Sequence, residues 1–283
     1  MIWEDKWVPS LHDFKIASLR PYDTEATLVK HLINWEDSTW NFPLLRELFS
    51  DDEVEAIMRI PFSVHHHADS LVWHLSNNEE YVVKLGYHRY MANKRMIEAA
   101  SSILKESEEF INVTTANTMN TRTTSAQMSW SPPPLNSIKI NCDASFEKNR
   151  NFAGIAVVAR NSYGVIVDGI NAQVPASSTL AAECLALRLG SHLIERHGWQ
   201  HVFLESDCKL AIEMINSLTP VYWEAKAIVS DIRKIVVSFP NVCLSYVGRL
   251  SNYVADWVAK ATIKGTCPSN WMRQIPDDLF QMM

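Results

Sequence analysis

Four acidic residues stand at positions where a carboxylate is costly to bury, where a strand ends or where a helix begins: Asp143, Glu183, Asp207 and Asp256. Asp143 lies in the middle of an alternating strand pattern, and Glu183 lies on the apolar stripe of a long helix pattern. An unpaired carboxylate is costly to bury at either place. Alone, Asp207 has an ordinary explanation as a helix cap, and Asp256 as the i, i+4 partner of Lys260.

Together the four acids indicate a site for divalent cations. Strand ends and helix starts of an open α/β sheet converge on one edge, where the carboxylates would repel one another unless cations lay between them. Hard cations with oxygen ligands suit such a site, Mg²⁺ above all, with Mn²⁺ as a substitute. Two such ions can activate a water and stabilise the leaving oxygen in phosphodiester hydrolysis. No P-loop, G-x-G-x-x-G motif or Ser-His-Asp arrangement competes for the chemistry.

The elements that must position these acids follow from the hydrophobic periodicity. The predicted elements are strands at 138–146, 154–160 and 165–172, a helix at 178–197, a strand at 202–204, helices at 209–217 and 223–238, a strand at 242–247, and a final helix that Ser251 caps and that ends near 263. The short connections between the first three strands predict an antiparallel meander. The order β-β-β-α-β-α-α-β-α predicts an α/β architecture, a mixed five-stranded sheet covered by helices, with the first strand in its centre.

The front part of the chain has a different character, which sets the predicted domain boundaries. Residues 112–129 are polar and poor in large apolar side chains, which is typical of a flexible linker. We therefore divide the chain into an N-terminal region at 1–110, a linker at 111–134, a domain at 135–266 and a tail at 267–283. The N-terminal region is predicted to be small, irregular and α-rich, with helices at 25–34, 51–59 and 91–107 and a strand pair at 70–74 and 81–84.

The bulk composition bounds the class of protein. The net charge is −6, but basic and acidic residues nearly balance from residue 130 on, so the negative charge belongs to the front part. None of the five cysteines forms a C-x-x-C pair, which favours buried free thiols in a reducing compartment. There is no secretory signal pattern and no apolar run of roughly 18 residues. We expect a soluble intracellular protein of the nucleus or cytoplasm, without a membrane partner.

Several motifs resemble the plant ribonuclease H-like domain over about residues 130–265. They are Trp130-x-Pro132-Pro133, Lys139-x-Asn141-x-Asp143-Ala144-Ser145, Ala181-Ala182-Glu183-x-x-Ala186-Leu187, Glu205-Ser206-Asp207 and Arg249-x-x-Asn252-x-x-Ala255-Asp256-x-x-Ala259. The resemblance implies the ribonuclease H fold, an RNA–DNA hybrid as partner, and cleavage of the RNA strand with two Mg²⁺. It places the catalytic and metal-binding acids on Asp143, Glu183, Asp207 and Asp256. It points to nucleic-acid contacts at Ser145, Ser178, Thr179, Arg249 and Asn252.

The front region is similar to the tail of plant non-LTR retrotransposon polyproteins. The resemblance is carried by Ile2-Trp3-Glu4-Asp5-x-Trp7, Trp40-Asn41-x-x-Leu44-Leu45-x-x-Leu48-Phe49, Ile60-Pro61 and Asp69-x-Leu71-Val72-Trp73. It implies an element-derived protein and assigns no activity to this region.

Two departures from the bacterial and retroviral enzymes keep other functions open. Residues 248–252 contain no histidine ahead of the last acid, and Ala144 stands where those enzymes have glycine. The alternatives are a catalytically weak or inactive domesticated nucleic-acid-binding module and a 3′–5′ exonuclease of the same fold.

Weaker signals have ordinary interpretations. The histidines at 65–67 are interpreted as a solvated loop rather than a metal site. Four tryptophans could stack on bases, but we interpret them as groups that pack against the protein. They are Trp199, Trp223, Trp257 and Trp271. Arg160, Arg249 and Lys260 are candidate phosphate contacts.

Overall fold

The structure of the chain, a computed structural model, describes residues 1–36, 38–63 and 130–273. Four predictions fall outside these residues: the histidines at 65–67, the strand pair at 70–74 and 81–84, the helix at 91–107 and the linker stretch at 112–129. Among the helices of the described ranges, none is long and apolar enough to cross a membrane.

A five-stranded mixed sheet forms the centre of the second described part of the chain, as predicted. Its strands are β3 (Ile138–Glu147), β4 (Phe152–Arg160), β5 (Ile166–Pro175), β6 (Val202–Ser206) and β7 (Val242–Tyr246). They lie in the order β5-β4-β3-β6-β7. The pairs β3–β4 and β4–β5 are antiparallel, and the pairs β3–β6 and β6–β7 are parallel. The predicted first strand, β3, is therefore the central strand.

The alternation along β3 separates an apolar face from a polar one, because successive side chains of a strand point to opposite faces. Ile140 and Cys142 join the main core cluster on one face. Asn141 and Asp143 are also buried but lie on the other face. Both faces of the central strand are thus covered, and the polar face carries the residues that could take part in catalysis or metal binding.

Helices cover both faces. They are α3 (Thr179–His197), α4 (Lys209–Ile215), α5 (Trp223–Ser238) and α6 (Tyr253–Ile263). Residues of α3, α4 and α5 pack into the main core, and α6 packs with Ala156 and Val158 of β4 in a separate cluster. Helix α3 begins at the cap residue Ser178, whose hydroxyl accepts from the Ala181 N–H at 3.1 Å, and ends at Gly198, whose φ of 64° favours glycine.

The predicted cap of the last helix is wrong. Helix α6 begins at Tyr253, after Asn252, and the cap side chain makes no capping hydrogen bond. The loop turns through its own backbone instead, since the N–H groups of Ser251 and Asn252 both donate to the Gly248 carbonyl, at 2.9 and 3.2 Å. The Asn252 side chain is used elsewhere, in the site described below.

The packed unit extends beyond the predicted bounds of 135–266 at both ends. The guanidinium of Arg160 lies 3.5 Å from the centroid of the Trp130 ring, which therefore belongs to the domain and not to a linker. Trp271 is 2% exposed and donates from Nε1 to the Asn171 side-chain oxygen at 2.9 Å, so the predicted tail begins inside the packed unit. The sequence pattern did not indicate these contacts, because each depends on a single tryptophan side chain in a polar stretch.

The described part of the N-terminal region packs around its own small core and carries two α-helices and two very short strands. They are β1 (Ile33–Asn34), β2 (Thr39–Trp40), α1 (Phe42–Leu48) and α2 (Asp51–Met58). The predicted helix at 51–59 is confirmed as α2. The predicted helix at 25–34 is wrong, because only Val29–Leu32 turns, as a 3₁₀ helix, and Thr27 uses its carbonyl to accept from the Ile2 N–H at 2.9 Å. Helix α1 was not predicted.

Two polar contacts join described residues of the N-terminal region to the helices of the sheet domain. Arg188 of α3 donates to the Phe62 carbonyl at 3.1 Å and pairs with the buried Asp231 of α5 at 3.2 Å. The Ser63 hydroxyl also donates to Asp231. Phe62 and Ser63 are thus held on α3 and α5.

The five cysteines are free thiols, as predicted, but they are not all buried. Cys142 and Cys184 are buried, Cys208 and Cys267 are half-buried, and Cys243 is exposed.

Candidate active site

Three of the four predicted acids converge on one pocket. Asp143, Glu183 and Asp207 each bring a carboxylate oxygen within 4.8 Å of the others. Asp143 comes from the middle of β3, Glu183 from the first turns of α3, and Asp207 directly follows β6. Asp143 and Glu183 are 3% and 8% exposed, and the Asp207 side chain is 12% exposed. The sheet topology therefore gathers acids that lie far apart in the sequence.

Burial and mutual repulsion make the ionised form of these acids unfavourable. Burial first, then the charges of Glu183 and Asp207, raises the pKa of Asp143 far above its ordinary value. Burial first, then Asp207 and Asp256, raises the pKa of Glu183, although Arg249 and the Ala144 N–H act in the opposite direction. The pocket is therefore short of positive charge.

These residues fit a site for divalent cations. The donor set consists of carboxylate oxygens, which hard cations such as Mg²⁺ prefer. The Glu183 Oε2 is buried and has no hydrogen-bond partner among the described residues. A buried carboxylate oxygen without a donor is an available ligand atom.

Asn252 lies beneath the acids rather than on a nucleic-acid-binding surface. It is 0% exposed, and its Nδ2 donates to the Asp143 Oδ1 at 3.0 Å, to the Cys142 carbonyl at 2.9 Å and, at a longer 3.5 Å, to the Asp207 Oδ1. The expected contact of this side chain with nucleic acid is therefore wrong, because the amide is used inside the site. Asn252 fixes the two aspartates relative to each other and to β3.

The fourth acid, Asp256, lies at the rim. It is not one of the three acids that share the pocket, and its Oδ2 accepts from the Lys260 Nζ at 2.7 Å. Its charge nevertheless raises the pKa of Asp143 and Glu183, so it is near enough to act on both. Lys260, a candidate phosphate contact, is used in this i, i+4 pair.

The remaining predicted nucleic-acid contacts differ in availability. Arg249 is 94% exposed and pairs with Asp207 at 3.7 Å from its Nε to the Oδ2. Thr179 is exposed and Ser145 is half-buried. The Ser178 hydroxyl caps α3 and donates to the Glu224 Oε1 at 2.8 Å, so it serves the helix.

A second polar layer lies beside the acids on the same strands, and sequence reasoning missed it. Asn141, two residues before Asp143, donates from Nδ2 to the Glu205 Oε2 at 3.0 Å, and Glu205 also pairs with Lys139 at 3.2 Å. Arg160 is 1% exposed and donates to the Asn141 Oδ1 at 2.8 Å, so its expected role as a phosphate contact is wrong. The polar residues at every second position of β3 were the signal for this layer.

The tryptophans considered for base stacking pack against the protein, as predicted. Trp271 is buried, and Trp223 and Trp257 are half-buried. Trp199 stacks on His197 with ring centroids 4.3 Å apart.

One family model matches the part of the chain that carries this geometry. Residues 141–262 match the family model described as reverse transcriptase-like. A search of the curated proteins finds no significant match. The family match lies in the second half of the chain, so the retrotransposon resemblance of residues 1–110 and the plant origin stay predictions.

Solved structures similar to this chain include ribonucleases H. The N-terminal RNase H domain of a Mycobacterium tuberculosis protein is 17% identical with a TM-score of 0.43, over 46% of this chain and 95% of that chain. RNase H1 from Halobacterium salinarum is 17% identical with a TM-score of 0.43, over 46% and 98%. LC11-RNase H1, isolated from compost, was solved in complex with an RNA/DNA hybrid and is 21% identical with a TM-score of 0.42, over 46% and 99%. Each of these structures is covered almost completely, whereas less than half of this chain is matched.

Proposed function

We propose that this protein is an endoribonuclease that cleaves the RNA strand of RNA–DNA hybrids by two-metal phosphodiester hydrolysis. The observation that carries the proposal is the convergence of three buried carboxylates, from Asp143, Glu183 and Asp207, within 4.8 Å of one another. Their positions coincide with the acids that the resemblance to ribonuclease H implies. Cations would offset the repulsion that raises the pKa values of Asp143 and Glu183.

The residues of the site have separate roles in this proposal. Asp143, Glu183 and Asp207 would hold the cations, for which we propose Mg²⁺, with Mn²⁺ as a substitute. When bound, such ions activate a water and stabilise the leaving oxygen. Asn252 keeps Asp143 and Asp207 aligned through its hydrogen bonds, and Asp256 adds negative charge at the rim.

The preference for a hybrid rests on the motif resemblance and on the chemistry of the RNA strand. A ribonuclease that cuts one strand of a duplex must distinguish 2′-hydroxyls, which are donors and acceptors that DNA lacks. Thr179 is exposed in the first turn of α3, four residues before Glu183, and offers a hydroxyl of this kind near the acids.

A cleavage assay on an internally labelled RNA–DNA hybrid with Mg²⁺ tests the proposal. We expect Asp143→Asn and Asp207→Asn each to reduce the cleavage rate by at least about 100-fold, because each removes a charge from the site. Asp52→Asn, the same chemical change on the exposed first turn of α2, is the matched control and is expected to leave the rate unchanged. Removal of the cation with a chelator should abolish cleavage by the unmodified protein.

Two observations favour a second function, that of a non-catalytic nucleic-acid-binding module. Lys260 pairs with Asp256, and residues 248–252 supply no histidine near the acids. If the hybrid binds but is cut no faster than without protein, this second function replaces the first. A hybrid labelled at one end distinguishes the endonuclease from the 3′–5′ exonuclease alternative, because an exonuclease would shorten the labelled strand stepwise.

A further inference from the structure

We propose that Arg249 and the cations of the acid site compete for the Asp207 carboxylate, so that cation binding releases the guanidinium to contact a phosphate of the nucleic acid. This inference rests on the proposed function, because it assigns the substrate backbone as the second partner of Arg249. It makes Arg249 a positioning residue that couples two binding events.

The first step is the asymmetry of the ion pair. The Arg249 Nε lies 3.7 Å from the Asp207 Oδ2, and the arginine side chain is 94% exposed whereas that of Asp207 is 12% exposed. An exposed arginine in a long contact is weakly held, since solvent screens the attraction and the side chain gives up freedom. Asp207 is the enclosed partner and stays in place.

The second step is that the same carboxylate belongs to the acid cluster. Asp207 offers an oxygen within 4.8 Å of ligand atoms of Asp143 and Glu183. A divalent ion among these oxygens would carry twice the charge of the guanidinium, and the oxygen ligands of such ions stand at about 2.0–2.6 Å, closer than the 3.7 Å of the arginine contact. The ion therefore displaces Arg249 from Asp207. Arg249 also acts on Glu183, whose pKa it lowers against the effects of burial and of the other acids.

The third step is where the released side chain lies. Arg249 sits in the loop between β7 and α6, three residues before Asn252, whose buried amide fixes this end of the loop to Asp143. The loop therefore holds the guanidinium at the mouth of the acid pocket. A guanidinium offers a planar fork of donors that matches two phosphate oxygens. A phosphate brought to the cations would lie within reach of it.

Lys260 shows why the proposal concerns Arg249 alone. Lys260 pairs with Asp256 at 2.7 Å along one helix, and Asp256 is outside the three-acid group. Its pairing is local, and a cation held by the three buried acids does not compete for it directly. Arg249, by contrast, pairs with Asp207, a member of the cluster, from a separate loop.

The test uses the full chain and two measurements that do not depend on cleavage. Calorimetry with Mn²⁺ alone gives the cation affinity, and hybrid binding in Ca²⁺ at several salt concentrations gives the phosphate contribution. For Arg249→Gln we expect tighter Mn²⁺ binding, by roughly 3- to 10-fold, and hybrid binding weaker by about 10-fold, within the range of ordinary couplings. The slope of log affinity against log salt concentration should become less steep by about one unit, as expected for the loss of one phosphate contact.

Arg196→Gln is the matched control. It removes the same charge from the exposed end of α3, thirteen residues after Glu183 and thus about 20 Å along the helix. It should leave the Mn²⁺ affinity unchanged. Arg249→Lys should recover part of the hybrid affinity, because it restores the charge without the planar fork.

Opposite shifts in the two affinities are specific to competition followed by release. If Arg249→Gln leaves Mn²⁺ binding unchanged or weakens it, Arg249 does not compete with the cation and the inference is overturned. If Mn²⁺ binds more tightly but hybrid affinity and its salt slope are unchanged, the release to phosphate is overturned. The unmodified protein failing to cut hybrid would instead contradict the proposed function, and both binding measurements would still stand.

Discussion

Asp143 is the least exposed acid of the site, at 3%. Its side chain accepts from Asn252, and the charges of Glu183, Asp207 and Asp256 all oppose its ionisation. A carboxylate in these surroundings lowers the stability of the folded protein whenever it must be charged. The arrangement therefore favours cation binding at the expense of the stability of the ion-free protein.

This leads to a prediction for Asp143→Asn. Because the pKa of Asp143 is raised in the folded protein, the folded state holds more protons than the unfolded state above pH about 4, and stability falls as pH rises. Asparagine keeps the acceptor for Asn252 but cannot ionise. We expect the variant to unfold at a higher temperature than the unmodified protein in a chelator at pH 7.5. The gain should be at least about 1 kcal/mol, roughly 2–4 °C.

Thermal unfolding between pH 5 and 8 checks this expectation. The gap between the two proteins should widen with rising pH, and Mg²⁺ should narrow it by stabilising the unmodified protein alone. A gap that is the same at every pH, or a variant that is less stable throughout, would contradict the assigned repulsion.

At the scale of elements, helix α6 carries both Asn252 at its start and Asp256 in its first turn. Its distance from the sheet is set by Gly154 of β4, since a Cβ there would lie 2.6 Å from the Ile263 N and closer still to the Ala259 carbonyl oxygen. Both are backbone atoms of the helix, which cannot rotate away as a side chain can. The close approach of α6 thus requires glycine at this position.

We expect Gly154→Ala to move α6 away from β4. The cost should be about 1–3 kcal/mol of stability, and hybrid cleavage should fall because Asn252 and Asp256 move with the helix. Gly248→Ala is the control, because an added methyl there meets no atom within 4 Å. Urea unfolding and the cleavage assay measure the two effects. A Gly154→Ala protein with unchanged stability and activity would show that the helix does not set the site.

Elements with a clear period could be predicted from the sequence, and those that depend on distant partners could not. Strand β3 and helix α3 repeat their apolar residues over ten and nineteen residues, so local pattern suffices. Strand β6 was predicted too short, at 202–204, because Glu205 and Ser206 are polar yet buried. The segment at 25–34 has a helical composition, but its backbone bonds to the start of the chain.

The same distinction holds for the site. Asp143 and Glu183 could be singled out because each lies where a carboxylate is costly to bury. Asp207 and Asp256 have ordinary explanations when taken alone, and they were singled out only together with the other two acids. The roles of Asn252 and Arg160 could not be predicted. Asn252 contacts Asp143, which is 109 residues away in the sequence, and Arg160 contacts Asn141, which is 19 residues away. Strand register decides which side chains meet, and the one-dimensional pattern does not contain it.

At the scale of the whole molecule, the C-terminal end of the described chain joins two layers. Trp271 packs where Gly169 of β5 leaves no room for a Cβ, and its Nε1 donates to Asn171 at 2.9 Å. Asn171 donates in turn to the Thr262 hydroxyl of α6 at 2.8 Å. The ring therefore links the edge of the sheet to the helix that carries the site.

We expect Trp271→Ala to lower the free energy of unfolding by about 3–5 kcal/mol, since it removes a large buried side chain and leaves a cavity. Trp271→Phe should lose less, because it keeps most of the volume and removes only the donor to Asn171. Urea denaturation of the full chain measures both. Equal stability of Trp271→Ala and the unmodified protein would mean that this end of the chain is not part of the packed unit.

Among the described residues of the N-terminal region, Phe62 and Ser63 contact the domain away from α6. Its contact at Phe62 and Ser63 uses Arg188 of α3 and Asp231 of α5, helices that pack into the main core on the other face of the sheet from α6. The loop that carries Arg249 is therefore not involved in this attachment.

The packing of Trp130 against Arg160 governs how the domain can be isolated. A recombinant fragment that begins at residue 135, where the sequence pattern places the start, lacks the indole that covers this guanidinium and donates to Asn141 at 3.1 Å. Such a fragment would open a charged layer two residues along β3 from Asp143 to water. Low activity or poor solubility of that fragment would then reflect where it was cut rather than the chemistry of the intact protein.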